Sequence, residues 1–258
     1  MINDVQKANL WKRISAFMFD AILVITVAVG IAYLLSTALK YDNNLEKYEE
    51  MRKSYETQYG ISFDVTADAL EEVSEEERTA YKEAYEKAAL AFTTDEEVAN
   101  TQVLIVNLTL IITVFSALIP MIIFEFVIPL CFGHGRTLGK KIFSTGVIRV
   151  DGVKISVFQL FVRSILGKFT LETMIPIFLI LLFLFEIMPL ACLVGLMVLG
   201  LLQVALLLFT QLRTPIHDMI AGTTVVDYAS QMIFESPEEL LEYKEKIHAE
   251  AAEKAEYR

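Results

Sequence analysis

Apolar positions in this chain are gathered into long unbroken blocks, with polar positions confined to the segments between them. Four stretches are almost continuously apolar, about 15–39, 102–132, 173–188 and 190–210, each bounded by charges. A helix rises ~1.5 Å per residue, so roughly 20 apolar residues cross the hydrocarbon of a bilayer. The first two runs have that length. The last two are separated only by the Glu186 to Pro189 corner and predict a tight helical hairpin.

Between the blocks the periodicity changes. Tyr41, Leu45, Tyr48, Met51, Tyr55 and Tyr59 recur at helical spacing, and Gly60 is expected to end that helix. Ser74 with Glu77 forms a capping-box pair ahead of Tyr81, Tyr85 and Ala88, and Thr94 with Glu97 marks a third helix start. The tyrosine stripe predicts packing of helix on helix more than a ligand surface. Further on, Val147 to Val150 and Val153 to Ser156 flank Asp151-Gly152, which favours a tight hairpin turn, and Thr223 to Val226 has the character of a strand that adds to it. Ser156 to Phe169 is rich in large apolar residues broken by Gln159, Arg163 and Lys168, the pattern of a helix lying in the headgroup region. Ser236-Pro237-Glu238-Glu239 opens a solvated tail helix.

The fold class is therefore an all-α polytopic membrane protein with four transmembrane helices, a helical extracellular insertion and a small cytoplasmic β-ribbon. Its segments are 1–39 (N-terminus and first span), 40–101 (acidic insertion), 102–132 (second span), 133–170 (basic loop with hairpin and interfacial helix), 171–210 (helical hairpin) and 211–258 (C-terminal segment and acidic tail). Composition agrees, with 55% apolar residues and a mean hydropathy of +0.49, too apolar for an ordinary soluble domain.

The net charge of −11 conceals a segregation that sets orientation. Residues 1–14 hold three Lys/Arg against one acid and 133–170 hold seven against one, whereas 40–101 hold seven against seventeen. By the positive-inside rule the N-terminus and the 133–170 loop face the cytoplasm and 40–101 lies outside; four crossings return the C-terminus to the cytoplasm of a cell-membrane protein. The tail is acidic, five basic residues against ten over 211–258, but acids contribute little to topology. A cleavable signal peptide is the competing reading of the start; the length of the first run and Asp20 within it argue for a permanent helix. Cys131 and Cys192, in apolar runs near opposite faces, are expected to be buried free thiols.

Asp20 is the first candidate for chemistry, because a charge inside a span costs about 2.5–3.5 kcal/mol unless it is paired, protonated or facing a cavity. Arg13, seven residues earlier, projects from the same helix face. Glu125 lies at a similar depth in the second run, and His217 and Asp218 follow the last span. These five residues are expected to converge near the inner leaflet, with Glu172 joining them and Glu186 at the outer end. Three roles compete for the cluster: a structural ion-pair network, handling of a proton or monovalent cation, and contact with lipid headgroups or a partner. Arg136, Lys140 and Lys141, with Arg149 and Lys154, supply a basic surface for anionic lipid. No enzyme, cofactor or nucleic-acid ligand is predicted. Gly133 to Lys141 misses the phosphate-loop spacing, metal-site and nucleophile motifs are lacking, and His134, His217 and His248 are too scattered for zinc.

The combination of Trp11-Lys12-Arg13 through Phe19-Asp20, Gly135-Arg136-Thr137-Leu138-Gly139-Lys140-Lys141 through Val150-Asp151-Gly152, Arg163, and Thr214-Pro215-Ile216-His217-Asp218 through Ala221-Gly222-Thr223 resembles the RDD family of membrane proteins. The resemblance covers roughly 5–39 and 100–228. It implies that Arg13 and Asp20 match the family's arginine and first aspartate and that Asp218 matches the second. It further implies either transport, including the cation/proton exchange proposed for some members, or an assembly and scaffolding role with a protein partner or a second copy of the chain. The acidic insertion at 40–101, the acidic tail and the fourth span depart from the compact family domain and hint at partner binding or sensing outside the cell.

Overall fold

The computed structural model describes residues 5–66, 74–178, 189–210 and 213–256. It is mostly helical and divides into two compact units, residues 1–29 with 116–258 and residues 30–115. Both unit boundaries fall inside long helices. Helix α1 runs Leu10–Ala38 and α4 runs Glu96–Ile122, continuing through a π-helical turn at Ile123–Val127 into α5, Ile128–Phe132. These are the two described helices long and apolar enough to cross a membrane, and only 11% and 17% of their most apolar windows are buried. Phe17, Ile22, Ile25, Val29 and Leu34 stand exposed along α1. A continuous apolar surface of this kind is stable only against lipid or another protein.

In the unit 30–115, α2 (Tyr41–Tyr59) ends at Gly60, whose left-handed backbone (φ 65°) lets its N–H reach back to Glu56 O. Helix α3 (Glu75–Thr94) starts with the reciprocal Ser74–Glu77 capping box. The tyrosine stripe packs inward: Tyr48 and Tyr55 meet Phe92 edge to face at 5.7 and 5.4 Å, and Phe63 joins Phe92 and Tyr85. The start of α4 corrects one expectation. Asp95, not Thr94, is the cap, accepting from the backbone N–H groups of Glu97 and Val98, while the Thr94 hydroxyl bonds back to Leu90 O inside α3.

The other unit is built around a two-stranded antiparallel sheet. β1 (Thr145–Arg149) pairs with β2 (Thr223–Asp227), with Val147 opposite Val225 and Ile148 opposite Thr224. Ala8, Val147 and Val225 form a small core that Ile155 covers. The local hairpin expected across Asp151-Gly152 is thus reduced to its turn. Gly152 takes φ 96°, and beyond it only isolated bridges form, Ile148 with Lys154 and Val153 with Phe234. The β-branched run at 223–226 lies along one edge of β1 and is buried, whereas Val153–Ser156 lies along the other edge, where Ile148 also bridges Lys154, and must turn at once into the Ser156 cap of α7 (Val157–Phe161).

Helix α7 passes without a break into a π-helix at Val162–Glu172. Its polarity is the reverse of a solvated surface helix: Arg163, Ser164, Gly167 and Lys168 are buried, while Val157, Phe158, Phe161 and Leu166 are exposed. Helix α6 (Leu138–Ile142) precedes β1, α8 (Pro189–Phe209) and α9 (Ile216–Ala221) precede β2, and α10 (Pro237–Glu256) forms the tail. The Glu186 corner and most of the 173–188 run lie outside the described residues. Cys131 is a free thiol but exposed rather than buried; it sits on the outward side of a helix whose inward side carries Pro129. The side chain of Cys192 lies outside the described residues.

Candidate functional site

Arg13 and Asp20 occupy one face of α1, where Ala16 and Asp20 are its buried residues. Asp20 is held by neutral donors. One carboxylate oxygen accepts a short hydrogen bond from Thr137 Oγ1, and the other accepts from Gly139 N at 2.8 Å. Thr137 also caps α6 by accepting from Lys140 N. Gly139 is required because a Cβ there would run into Ala16 O and come within 3.0 Å of the Asp20 carboxylate. The Gly-Arg-Thr-Leu-Gly stretch is therefore a clamp on the first helix, not a phosphate loop.

A second group forms around Asp218, which is fully buried. Arg163 Nε donates to its Oδ1 at 2.6 Å, Thr223 Oγ1 donates to the same oxygen at 2.9 Å, and Arg13 Nη2 stands 3.9 Å from Oδ2. Arg163 Nη2 lies 3.1 Å from His217 Nε2. A guanidinium has no acceptor, so Nε2 must accept, and the ring proton is assigned to Nδ1, which donates to Glu172 Oε1 in a short bond. Burial is the main reason the His217 pKa falls below the ordinary histidine value, which keeps the ring neutral. Burial opposes ionisation of Asp218, but the Arg163 charge and its hydrogen bond, helped by Arg13, overcome it and hold the carboxyl well below the usual range.

Glu125 lies in the π-helical turn and pairs with Lys168 Nζ at 2.5 Å. Pro129 has no N–H to offer the Glu125 carbonyl, and Ser164 Oγ donates to it at 2.6 Å. Lys140 is also buried and forms no ion pair among the described residues. Burial, then repulsion from Arg163, lowers its pKa to about 7, against partial support from Glu125 and Asp20.

These groups border a cavity of about 410 Å³. Arg13, Asp20, Lys140, Arg163, Lys168, Glu172, His217 and Asp218 form its polar side. Ile14 and Phe17 of α1 and Leu196, Leu199, Val204 and Leu207 of α8 form its apolar side. Glu125 stands behind Lys168 and does not line it. Among the buried polar atoms without a hydrogen bond are Arg13 Nη1, Arg163 Nη1, Glu125 Oε2 and Asp218 Oδ2. No group of three or more metal-ligating side chains occurs among the described residues.

The basic surface expected of Arg136, Lys140 and Lys141 is not continuous. Lys140 and Lys141 are about 100° apart on α6, so one turns into the cavity and the other outward. Lys141 lies 3.9 Å over the Phe132 ring. Arg136 stacks 4.0 Å over Tyr228 and donates to Phe132 O, so it is spent on packing. The sequence pattern did not place Thr137, Gly139, Arg163, Lys168 or Thr223 in the charged cluster. The signal for Arg163 and Lys168 was their place inside a large-apolar run. Five residues apart on an α-helix they would diverge by ~140°, and only the wider π-helical turn carries both onto the buried face.

No curated protein and no solved structure matches the chain. The RDD family matches residues 7–222, a stretch that contains all the charged side chains of the cavity. Arg13, Asp20 and Asp218, which carry the resemblance, sit at the junction of α1, α6 and α9, and the chain belongs to the RDD family.

Proposed function

We propose that this chain is a multi-pass membrane protein of the cell membrane that moves a small ionic solute coupled to a proton, working from a charged cavity on its cytoplasmic side. Two helices of membrane length with exposed apolar surfaces support the membrane assignment, and α8 with the 173–188 run supplies the third and fourth crossings. The charge asymmetry of the loops orients both termini toward the cytoplasm.

The observation that carries the reading is Lys140. It is a buried cation on the wall of a cavity, without an ion pair among the described residues, and burial has brought its pKa to about 7. Such a group gains and loses its proton at cellular pH, which coupling requires. The carboxylates are already committed, Asp20 to Thr137 and Gly139, Asp218 to Arg163, Glu125 to Lys168 and Glu172 to His217. Proton exchange at the cavity is therefore better supported than direct chelation of a monovalent cation.

Purified protein in sealed liposomes should show solute-dependent proton movement under an imposed pH gradient. Lys140→Gln should abolish it, with assembly unchanged in size-exclusion profile. Equal proton flux in wild-type and empty liposomes, across monovalent cations and small organic anions, would dismiss the transport reading. A second reading, a non-transporting scaffold or sensor, is favoured by the separate aromatic core and acidic surface of the 30–115 unit. Crosslinking through 40–101 or the tail should then recover a stable partner or a second copy of the chain.

A further inference from the structure

The cavity is two-sided in a way that ion handling alone does not need. On its polar side the four cations Arg13, Lys140, Arg163 and Lys168 balance Asp20, Glu172, Asp218 and the Glu125 behind Lys168 in formal charge, but each carboxylate already has a donor and guanidinium N–H groups are left without acceptors. Arg13 reaches Asp218 only at 3.9 Å, and its Nη1 is buried without a hydrogen bond. Arg163 is 98% buried, bonds Asp218 and His217 through Nε and Nη2, and has Nη1 left over. Lys140 adds a buried ammonium with no ion pair among the described residues. Two guanidinium N–H groups and an ammonium on one wall complement the oxygens of a carboxylate or phosphate, and buried donors of this kind are costly to leave unmatched.

The opposite side is aliphatic and aromatic. Phe17, Leu196 and Val204 line the cavity, yet they are also 62%, 40% and 56% exposed. Among the described residues the apolar wall is therefore continuous with the outer apolar surface of α1 and α8, the surface that faces lipid in the reading above. A solute can reach the charged end along that wall without crossing a polar rim. The volume, about 410 Å³, falls in the range of small-molecule sites.

We infer that this cavity binds an anionic amphiphile, with a carboxylate or phosphate head on Arg13, Lys140 and Arg163 and an aliphatic chain along α8. The inference rests on the reading that the cavity is a solute site and names the class of that solute. Gln203 of α8 helps to shape the site, since its side-chain oxygen accepts from Ile216 N at 3.1 Å and ties the apolar wall to the helix that carries His217 and Asp218.

The test uses the full chain in nanodiscs of phosphatidylcholine with radiolabelled dodecanoate. Specific, saturable binding should be displaced by unlabelled dodecanoate and by dodecyl phosphate, but not by dodecanol or by inorganic phosphate. Lys140→Gln should weaken binding by about tenfold, the loss of one charge-assisted contact, and Lys140→Arg should restore it. Leu199→Trp, which fills the apolar side, should weaken dodecanoate and dodecyl phosphate together. Displacement by dodecanol as effective as by dodecanoate would show that the charged end is not read. Inorganic phosphate competing as well as dodecyl phosphate would show that a free anion is the ligand and that the apolar wall is unused. Either result overturns the inference, as does unchanged affinity in both Lys140→Gln and Leu199→Trp. Proton flux with no amphiphile binding would sink this solute class and leave transport standing, whereas amphiphile binding without flux would do the opposite.

Discussion

Replacing Asp218 by Asn tests the ion-pair network at its most buried point. The carboxylate is fully buried, accepts from Arg163 Nε at 2.6 Å and Thr223 Oγ1 at 2.9 Å, and lies 3.9 Å from Arg13. Removing one partner of a buried pair costs about 3–5 kcal/mol, chiefly because the other charge is left uncompensated. Asn keeps an acceptor for Arg163, which returns roughly 1 kcal/mol, so the net loss should be about 2–4 kcal/mol. Arg163→Met should cost a similar amount, since it leaves Asp218 charged and His217 Nε2 without its donor. The double replacement removes both charges and should cost less than the two singles together by more than ~1.5 kcal/mol, well above the roughly 0.5 kcal/mol within which independent sites add. Equilibrium unfolding in mixed micelles measures all three. Additive losses would refute the reasoning. The pH dependence has a definite sign: the folded pKa of Asp218 is depressed, so its contribution is present above the ordinary aspartate value and is lost as pH falls through the lower folded value.

Three further outcomes are expected. Gly139→Ala should destabilise by about 1–3 kcal/mol, because the added Cβ meets Ala16 O and the Asp20 carboxylate; an unchanged thermal midpoint in detergent would show that the clamp on α1 is not formed. Ser74→Ala should cost about 0.5–2 kcal/mol in the 30–115 unit, read as lower protection of the first turn of α3 in amide exchange, with the unit carrying Asp20 unaffected. Lys140→Met should stabilise the protein at pH 6–7, because the folded pKa of about 7 lies below the unfolded lysine value and the folded state must carry a buried charge there. Its advantage should shrink as pH rises from 7 toward 10, and a gain independent of pH would point to packing instead.

Interactions within one turn or one helix face were legible in the residues themselves. The length of α1 follows from an apolar run, and the αL stop at Gly60 and the Ser74–Glu77 box follow from local stereochemistry that no tertiary contact has to supply. Arg13 and Asp20 share a face because seven residues are nearly two turns. Where two local solutions competed, sequence pattern was insufficient. Asp95 displaced Thr94 as the cap because the threonine hydroxyl had a carbonyl of its own helix within reach. The 223–227 segment became the full strand beside β1, while 153–156 on the opposite edge kept only isolated bridges, because the former is buried along its length, and burial is a property of the assembled unit.

The site shows the same division more sharply. The sequence by itself placed charged residues in apolar surroundings at Asp20, Glu125, Arg163 and Lys168, since helical rise and hydrophobic patterning are properties of single segments. Which charge meets which was decided only by tertiary structure. Asp20 found Thr137 and Gly139 rather than Arg13, Arg13 and Arg163 turned to Asp218, and Lys168 took Glu125. Those pairings depend on two π-helical segments that rotate side chains off the α-helical register. They also depend on Lys140 facing the cavity while its neighbour Lys141 faces out. A pairing between residues tens of positions apart is selected by desolvation and distance in the folded state, and neither quantity exists until the helices have packed.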